Sequence, residues 1–104
     1  MPNPPEISTE ARRQALAKAV RHRKQRAEFK RELAEGKRFW REALDSEVEA
    51  IQRMRIRELL ESLPGFGTIR AIAILDRVGI SHARRIQGLG STQRAKLELE
   101  LKGR

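Results

Sequence analysis

The segment Leu63-Pro64-Gly65-Phe66-Gly67-Thr68-Ile69-Arg70-Ala71 holds the densest chemistry in the sequence. Proline lacks a backbone N–H and stops a preceding helix. Glycine reaches backbone angles closed to other residues, and threonine can cap the helix that follows. The spacing predicts two helices joined by a tight hairpin, with positive φ at Gly65 and Gly67 and with Phe66 turned down into the core. Without a Cβ at either glycine, peptide N–H groups at the start of the second helix face outward. Such a concave donor set suits an anion. Ala71 is small enough to let the two helices approach closely.

The natural ligand for this nest is a phosphate of a nucleic-acid backbone, a contact that positions but does not read sequence. Pro64-Gly65 alone also describes an ordinary tight loop. The glycine spacing, the periodic helices on both sides and the basic context favour phosphate. A second candidate is Ser81-His82-Ala83-Arg84-Arg85-Ile86-Gln87-Gly88-Leu89-Gly90, either a solvated basic turn or a surface on which Arg84 and Arg85 reach phosphates while Gly88 and Gly90 approach a backbone closely. From Gly65 to Lys96 there are six basic residues and one acid, Asp76. Arg70, Gln87 and Arg94 complete the expected contact set. A third candidate is the N-terminal stretch from Arg12 to Arg31, with nine Lys and Arg against the single acid Glu28. A charged run is often only a solvated face, but this imbalance points to non-specific phosphate attraction through Arg13, Arg23, Arg26 and Lys30.

Other chemistries find little support. There is no cysteine, so no thiol nucleophile, disulfide or thiolate metal site is available. His22 and His82 lack ligand spacing, so no metal site and no cofactor are expected. No Gly-x-Ser-x-Gly, Walker or dinucleotide-binding pattern occurs. Asp76, the one carboxylate near the hairpin, falls inside a predicted helix, and an enzyme is not expected. The longest uninterrupted apolar run, Ala71 to Leu75, is too short to cross a bilayer, and the Pro-rich N-terminus has no secretory h-region. Opposite the arm's charges stand mostly alanines, too small for a membrane-surface helix. These features predict a soluble, intracellular protein.

The elements that must position these residues follow from composition and periodicity. The chain has 104 residues, 23 Lys and Arg against 14 Asp and Glu, and a net charge of +9. That length supports one small domain and excludes a deep enzyme pocket. Residues 1–7 read as a loose tail, 8–36 as a basic helical arm and 37–104 as a compact helical domain. Ser8 or Thr9 can cap the arm, Gly36 can stop it, and Ala11, Ala15, Leu16, Ala19 and Val20 line its one apolar stripe. A short helix fits residues 38–45 with Phe39 and Trp40 as core anchors, and Ser46 can cap the next. Ile56, Leu59, Leu60 and Leu63, then Ala71, Ile74, Leu75 and Val78, repeat the i, i+3, i+4, i+7 pattern of helices burying one face. Gly79 closes the second of these. Ser91 can cap a last helix, although Leu97, Leu99 and Leu101 alternate with strand period. No partner strand is visible, so the fold class is all-α.

Two basic-context features together, the hairpin and the Arg84-Arg85 turn, also carry a family resemblance. The order of a basic N-terminal helix, 56–63, Pro64-Gly65-Phe66-Gly67, Ala83-Arg84-Arg85-Ile86-Gln87-Gly88-Leu89-Gly90 and Gln93-Arg94-Ala95-Lys96-Leu97 resembles the actinobacterial integration host factor family from about residue 10 onward. The resemblance implies a long N-terminal helix joined to a helix–two-turns–helix domain of helix–hairpin–helix type, an element also found in a ribosomal small-subunit protein and in some DNA-repair glycosylases. It implies a monomeric nucleoid-associated protein of the cytoplasm. Such a protein binds double-stranded DNA with little sequence preference, bends or compacts it, and supports phage integration. It is unrelated in fold to the heterodimeric bacterial protein of the same name. Backbone contacts would fall on Gly65, Phe66, Gly67 and Thr68, and the arginine cluster on Arg84 and Arg85. Gln87 stands where the family commonly has a further arginine, and Gly65 where relatives often carry lysine. The residues also admit an RNA-binding, ribosome-associated module, because the same hairpin holds RNA phosphates equally well.

Overall fold

The computed structural model describes residues 8–104; the expected tail, residues 1–7, lies outside the described residues. Among the described residues every regular element is helical, and one isolated β-bridge joins two loops. Ser8 opens α1 (Thr9–Ala34) by accepting a hydrogen bond on Oγ from the Ala11 N–H at 3.1 Å, and Glu10 sits at the positive end of the helix dipole. With no glycine or proline inside, the helix runs for 26 residues. Gly36 ends it at φ 74°, where the Gly36 and Lys37 N–H groups donate to the Leu33 and Glu32 carbonyls at 3.1 and 2.9 Å, the two bonds of a Schellman stop.

The apolar stripe expected to pack, Ala11, Ala15, Leu16, Ala19 and Val20, is exposed, with Leu16 at 68%. The helix docks by its other end. Phe29 and Leu33, one turn apart, are buried, and Lys18 and His22 reach Glu49 at 3.2 and 3.5 Å. Size explains the reversal: alanines offer little area to bury, whereas Phe29 and Leu33 each remove a large side chain from water. The first turns of α1 therefore overhang the body. The radius of gyration is 16.7 Å, against about 13 Å for a compact chain of this length.

Five shorter helices complete the chain: α2 (Arg41–Leu44), α3 (Glu49–Gln52), α4 (Ile56–Glu61), α5 (Thr68–Val78) and α6 (Ser91–Glu100), with a 3-10 turn at Ile86–Gly88 before α6. Of the adjacent aromatics, only Trp40 anchors the core; Phe39 is 65% exposed. The helix expected between Ser46 and Pro64 is broken at residues 53–55, because Arg55 is extended (φ −76°, ψ 145°) and pairs with another loop. Ser46 accepts from the Val48 N–H at 3.1 Å rather than capping α3. Helical period prevails over alternation in α6: Leu97 and Leu101 are buried four residues apart and Leu99 points outward. The Gly90 N–H donates to Gln93 Oε1 at 3.1 Å, so Gly90, not Ser91, is the N-cap. Met54, Ile56, Leu59, Leu60, Leu75, Leu97 and Trp40 form one core beneath these helices.

Candidate nucleic-acid interface

The connection from α4 to α5 begins as a β-turn in which the Phe66 N–H donates to the Leu63 carbonyl at 3.0 Å. Pro64 occupies its second position and Gly65, at φ 78°, its third. These are the residues a type II turn demands. Gly67 differs from expectation. It is extended at φ −115°, and a Cβ there would meet nothing within 4 Å. Its backbone needs no positive φ, and a side chain there would enter open space. Phe66 is 8% exposed and seats the loop on the core.

Gly67 is also the N-cap of α5, and Thr68 is the first helical residue rather than the cap. No side chain caps this helix and no acid lies in its first turn. Among the described residues, the N–H groups of Gly67, Thr68, Ile69 and Arg70 have no hydrogen-bond acceptor; the first bonded amide is Ala71, donating to the Gly67 carbonyl at 3.0 Å. Four aligned donors carrying the positive end of a helix dipole form an anion site of main-chain atoms. Arg70 lies 4.2 Å from the Phe66 ring centroid and Arg104 lies 4.8 Å from it. The ring thereby holds two guanidiniums beside the amides. Ile69, next to them, is 88% exposed.

At the other end of α4 stands a second basic locus. The Ile56 N–H donates to the Arg84 carbonyl at 3.0 Å and the Ile86 N–H to the Met54 carbonyl at 2.9 Å. Arg55 and Arg85 are thus opposite each other across an antiparallel bridge. Ile86, buried, fastens the turn to the core. Arg84 Nη1 donates to the Gly88 carbonyl at 3.2 Å, and a Cβ at Gly88 would come within 3.3 Å of Arg84 Cδ, so the missing side chain makes room for that arginine. Arg85 Nη1 donates to the Arg53 carbonyl at 3.0 Å. Gln87 is exposed. The sequence offered no sign of Arg55, which precedes the helix and meets its bridge partner only in the fold. The bridge precedes α4 and the hairpin follows it, so the two loci lie at opposite ends of that helix.

Carboxylates sort the remaining cations. Arg94, expected in the contact set, donates to both Asp45 oxygens at 2.9 and 3.2 Å and tethers α6 to the end of α2. Its guanidinium also faces Glu98 at 3.6 Å. That hydrogen bond holds the Asp45 carboxyl below its ordinary range. By contrast, Arg55, Arg70, Arg84 and Arg85 have no carboxylate within 4 Å among the described residues. The same is true of Arg13, Arg23, Arg26 and Lys30 on α1, where Arg13 and Arg23 are exposed and Arg26 and Lys30 half-buried. Asp76 Oδ1 accepts from His82 Nε2 at 2.7 Å at the surface, and His22 faces Glu49, so neither histidine joins a ligand set. Among the described residues no group of three His, Cys, Asp or Glu side chains could hold a metal ion, and no helix is long and apolar enough to cross a membrane.

Comparison with known proteins places this geometry in context. Residues 41–101 match the family model of the S13-like H2TH domain. Integration host factor of Streptomyces coelicolor is 44% identical over 98 residues, covering 92% of each chain. Those of Mycolicibacterium smegmatis and Mycobacterium tuberculosis are each 38% identical over 95 residues, covering 89% of this chain and 90% of theirs. Among solved structures, sIHF bound to an 8-bp palindromic DNA superposes with a TM-score of 0.78 at 44% identity, over 81% of this chain and 97% of that one.

Proposed function

The chain belongs to the actinobacterial integration host factor family, with an S13-like H2TH domain at its centre, and on that premise we propose that it is a nucleoid-associated protein that binds double-stranded DNA with little sequence preference. The observation that carries this reading is the pairing of four free amides with two arginines that meet no carboxylate, at opposite ends of one small helix. The Gly67–Arg70 amides lie at one end of α4 and the Arg84 and Arg85 guanidiniums at the other. The two loci hold phosphates on either side of one groove. Amides and phosphate-facing arginines fix register without reading bases, which accounts for broad specificity.

The arm adds Arg13, Arg23, Arg26 and Lys30 along the backbone, and the protein acts as a monomer that bends or compacts DNA and supports phage integration. It works without a metal or cofactor, is not an enzyme, and resides in the cytoplasm on the nucleoid. Relatives named integration host factor and a relative held on duplex DNA support DNA over RNA as the ligand. Titration of labelled duplex DNA across a salt series, with unlabelled duplex RNA as competitor, tests the reading. Four to six phosphate contacts give a slope of log K against log salt of roughly −4 to −5. R84A/R85A weakens binding to all duplexes alike. A shallow slope, unchanged binding by that variant, or a clear preference for RNA overturns it.

A further inference from the structure

Arg55 and Arg85 present a conflict within the free protein. Two residues opposite each other on an antiparallel bridge place their side chains on the same face, closest when flanking residues make the hydrogen bonds, as Ile56 and Ile86 do here. Like charges so placed repel. Several arginines of this body have a local remedy: Arg38, Arg53, Arg57, Arg77 and Arg94 each meet a carboxylate. Arg55 and Arg85 meet none among the described residues, and both are exposed.

The surroundings fix the pair. The Arg85 guanidinium is anchored through Nη1 on the Arg53 carbonyl, which leaves its remaining N–H groups free to face outward. The backbone of Arg55 is held by the bridge, and the buried Met54, Ile56 and Ile86 flank the two positions. Two guanidiniums carried at opposed positions of separate loops can fork around one phosphate, each offering parallel N–H donors. One phosphate between them relieves their repulsion by placing negative charge beside both.

We propose that Arg55 is a phosphate-binding residue and that Arg55 and Arg85 together clamp a single backbone phosphate. The proposal deepens the DNA-binding reading and rests on it. Arg84 is the separate probe of that reading.

The clamp makes three linked expectations for the full chain. R55Q weakens binding to duplexes of any sequence by about tenfold and reduces the salt slope by about 1. In the absence of DNA, the same variant melts no lower than the wild type, because a repulsion has been removed. Sodium sulfate raises the melting temperature of the wild type more than sodium chloride of equal ionic strength, and R55Q narrows this excess to the general salting-out effect of sulfate and its binding elsewhere. The cycle of R55Q, R85Q and the double variant reads the coupling. In a clamp the double variant loses far less than the product of the two single losses. R55K retains the charge, so it keeps the salt slope while losing part of the affinity.

Multiplicative losses make the arginines independent charges and overturn the clamp. R55Q binding with wild-type affinity and slope, while R84A binds weakly, overturns the role of Arg55 and leaves the DNA reading intact. Wild-type binding by both R55Q and R84A removes the DNA reading itself.

Discussion

Arg94 holds Asp45 through both ends of its guanidinium, at 2.9 and 3.2 Å, across 49 positions of sequence. This contact links the last helix to the loop after α2. It gives Arg94, an arginine that the basic context assigns to the ligand surface, a carboxylate partner within the fold. R94A and D45A are therefore expected to lower the melting temperature by similar small amounts, since both groups lie near the surface. Both should leave the salt slope of DNA binding unchanged. Paired thermal melts and binding titrations check this, and a shallower slope for R94A alone would return Arg94 to the contact set.

Gly65 and Gly67 should part company on substitution. G65A forces a side chain into the left-handed region at φ 78° and destabilises the fold by about 1–2 kcal/mol. G67A enters open space in an extended conformation and leaves the fold as stable or better by about 0.4–1 kcal/mol. Its methyl group stands where a phosphate would approach the amides, so binding should weaken by about tenfold, or 1.4 kcal/mol. Denaturant melts beside binding curves separate the effects. Full-strength binding by G67A would deny a close approach at the nest.

The overhanging turns of α1 predict a charge effect without a folding effect. Arg13 and Arg23 are exposed, with no carboxylate partner among the described residues. R13Q/R23Q should melt with the wild type and bind DNA with a salt slope shallower by up to about 2. An unchanged slope would make these arginines solvated surface only.

Acid should loosen the fold from its tethers inward. The Asp45, Glu49 and Glu100 carboxyls are held below their ordinary range, chiefly by hydrogen bonds from Arg94, Lys18 and Arg77 respectively. A depressed folded pKa contributes stability that is fully present above the unfolded pKa and is lost as pH falls through the folded one. The melting temperature should stay level from neutral pH to about pH 5 and decline below about pH 4. Circular-dichroism melts at constant ionic strength test this, with D45N expected to soften the decline. A level profile down to about pH 3 would show that these pairs do not couple to folding.

The helical periods of α4 and α5, the proline–glycine hairpin, the seat of Phe66 and the Gly36 stop were legible in the sequence because each depends on neighbours within a few residues. What depended on distant partners was not. The docking end of α1 turned on Phe29 and Leu33 meeting a body that local pattern does not show. Arg55 escaped notice because its partner Arg85 lies on another loop, and the tether of Arg94 did so because Asp45 is equally remote. The extended conformation of Gly67 is a further case: glycine spacing marks a close approach without saying whether the backbone itself requires one.

The free amides at the start of α5 leave this surface unusually tolerant of sequence drift. A side-chain ligand disappears with one codon change, whereas a peptide N–H survives nearly every replacement of the residue that carries it. Alanine scanning would register the arginines and, Gly67 apart, pass over the amides. Proline alone withdraws such a donor. At Thr68, first in the helix and behind an extended Gly67, it would do so in a position where helices accept it readily.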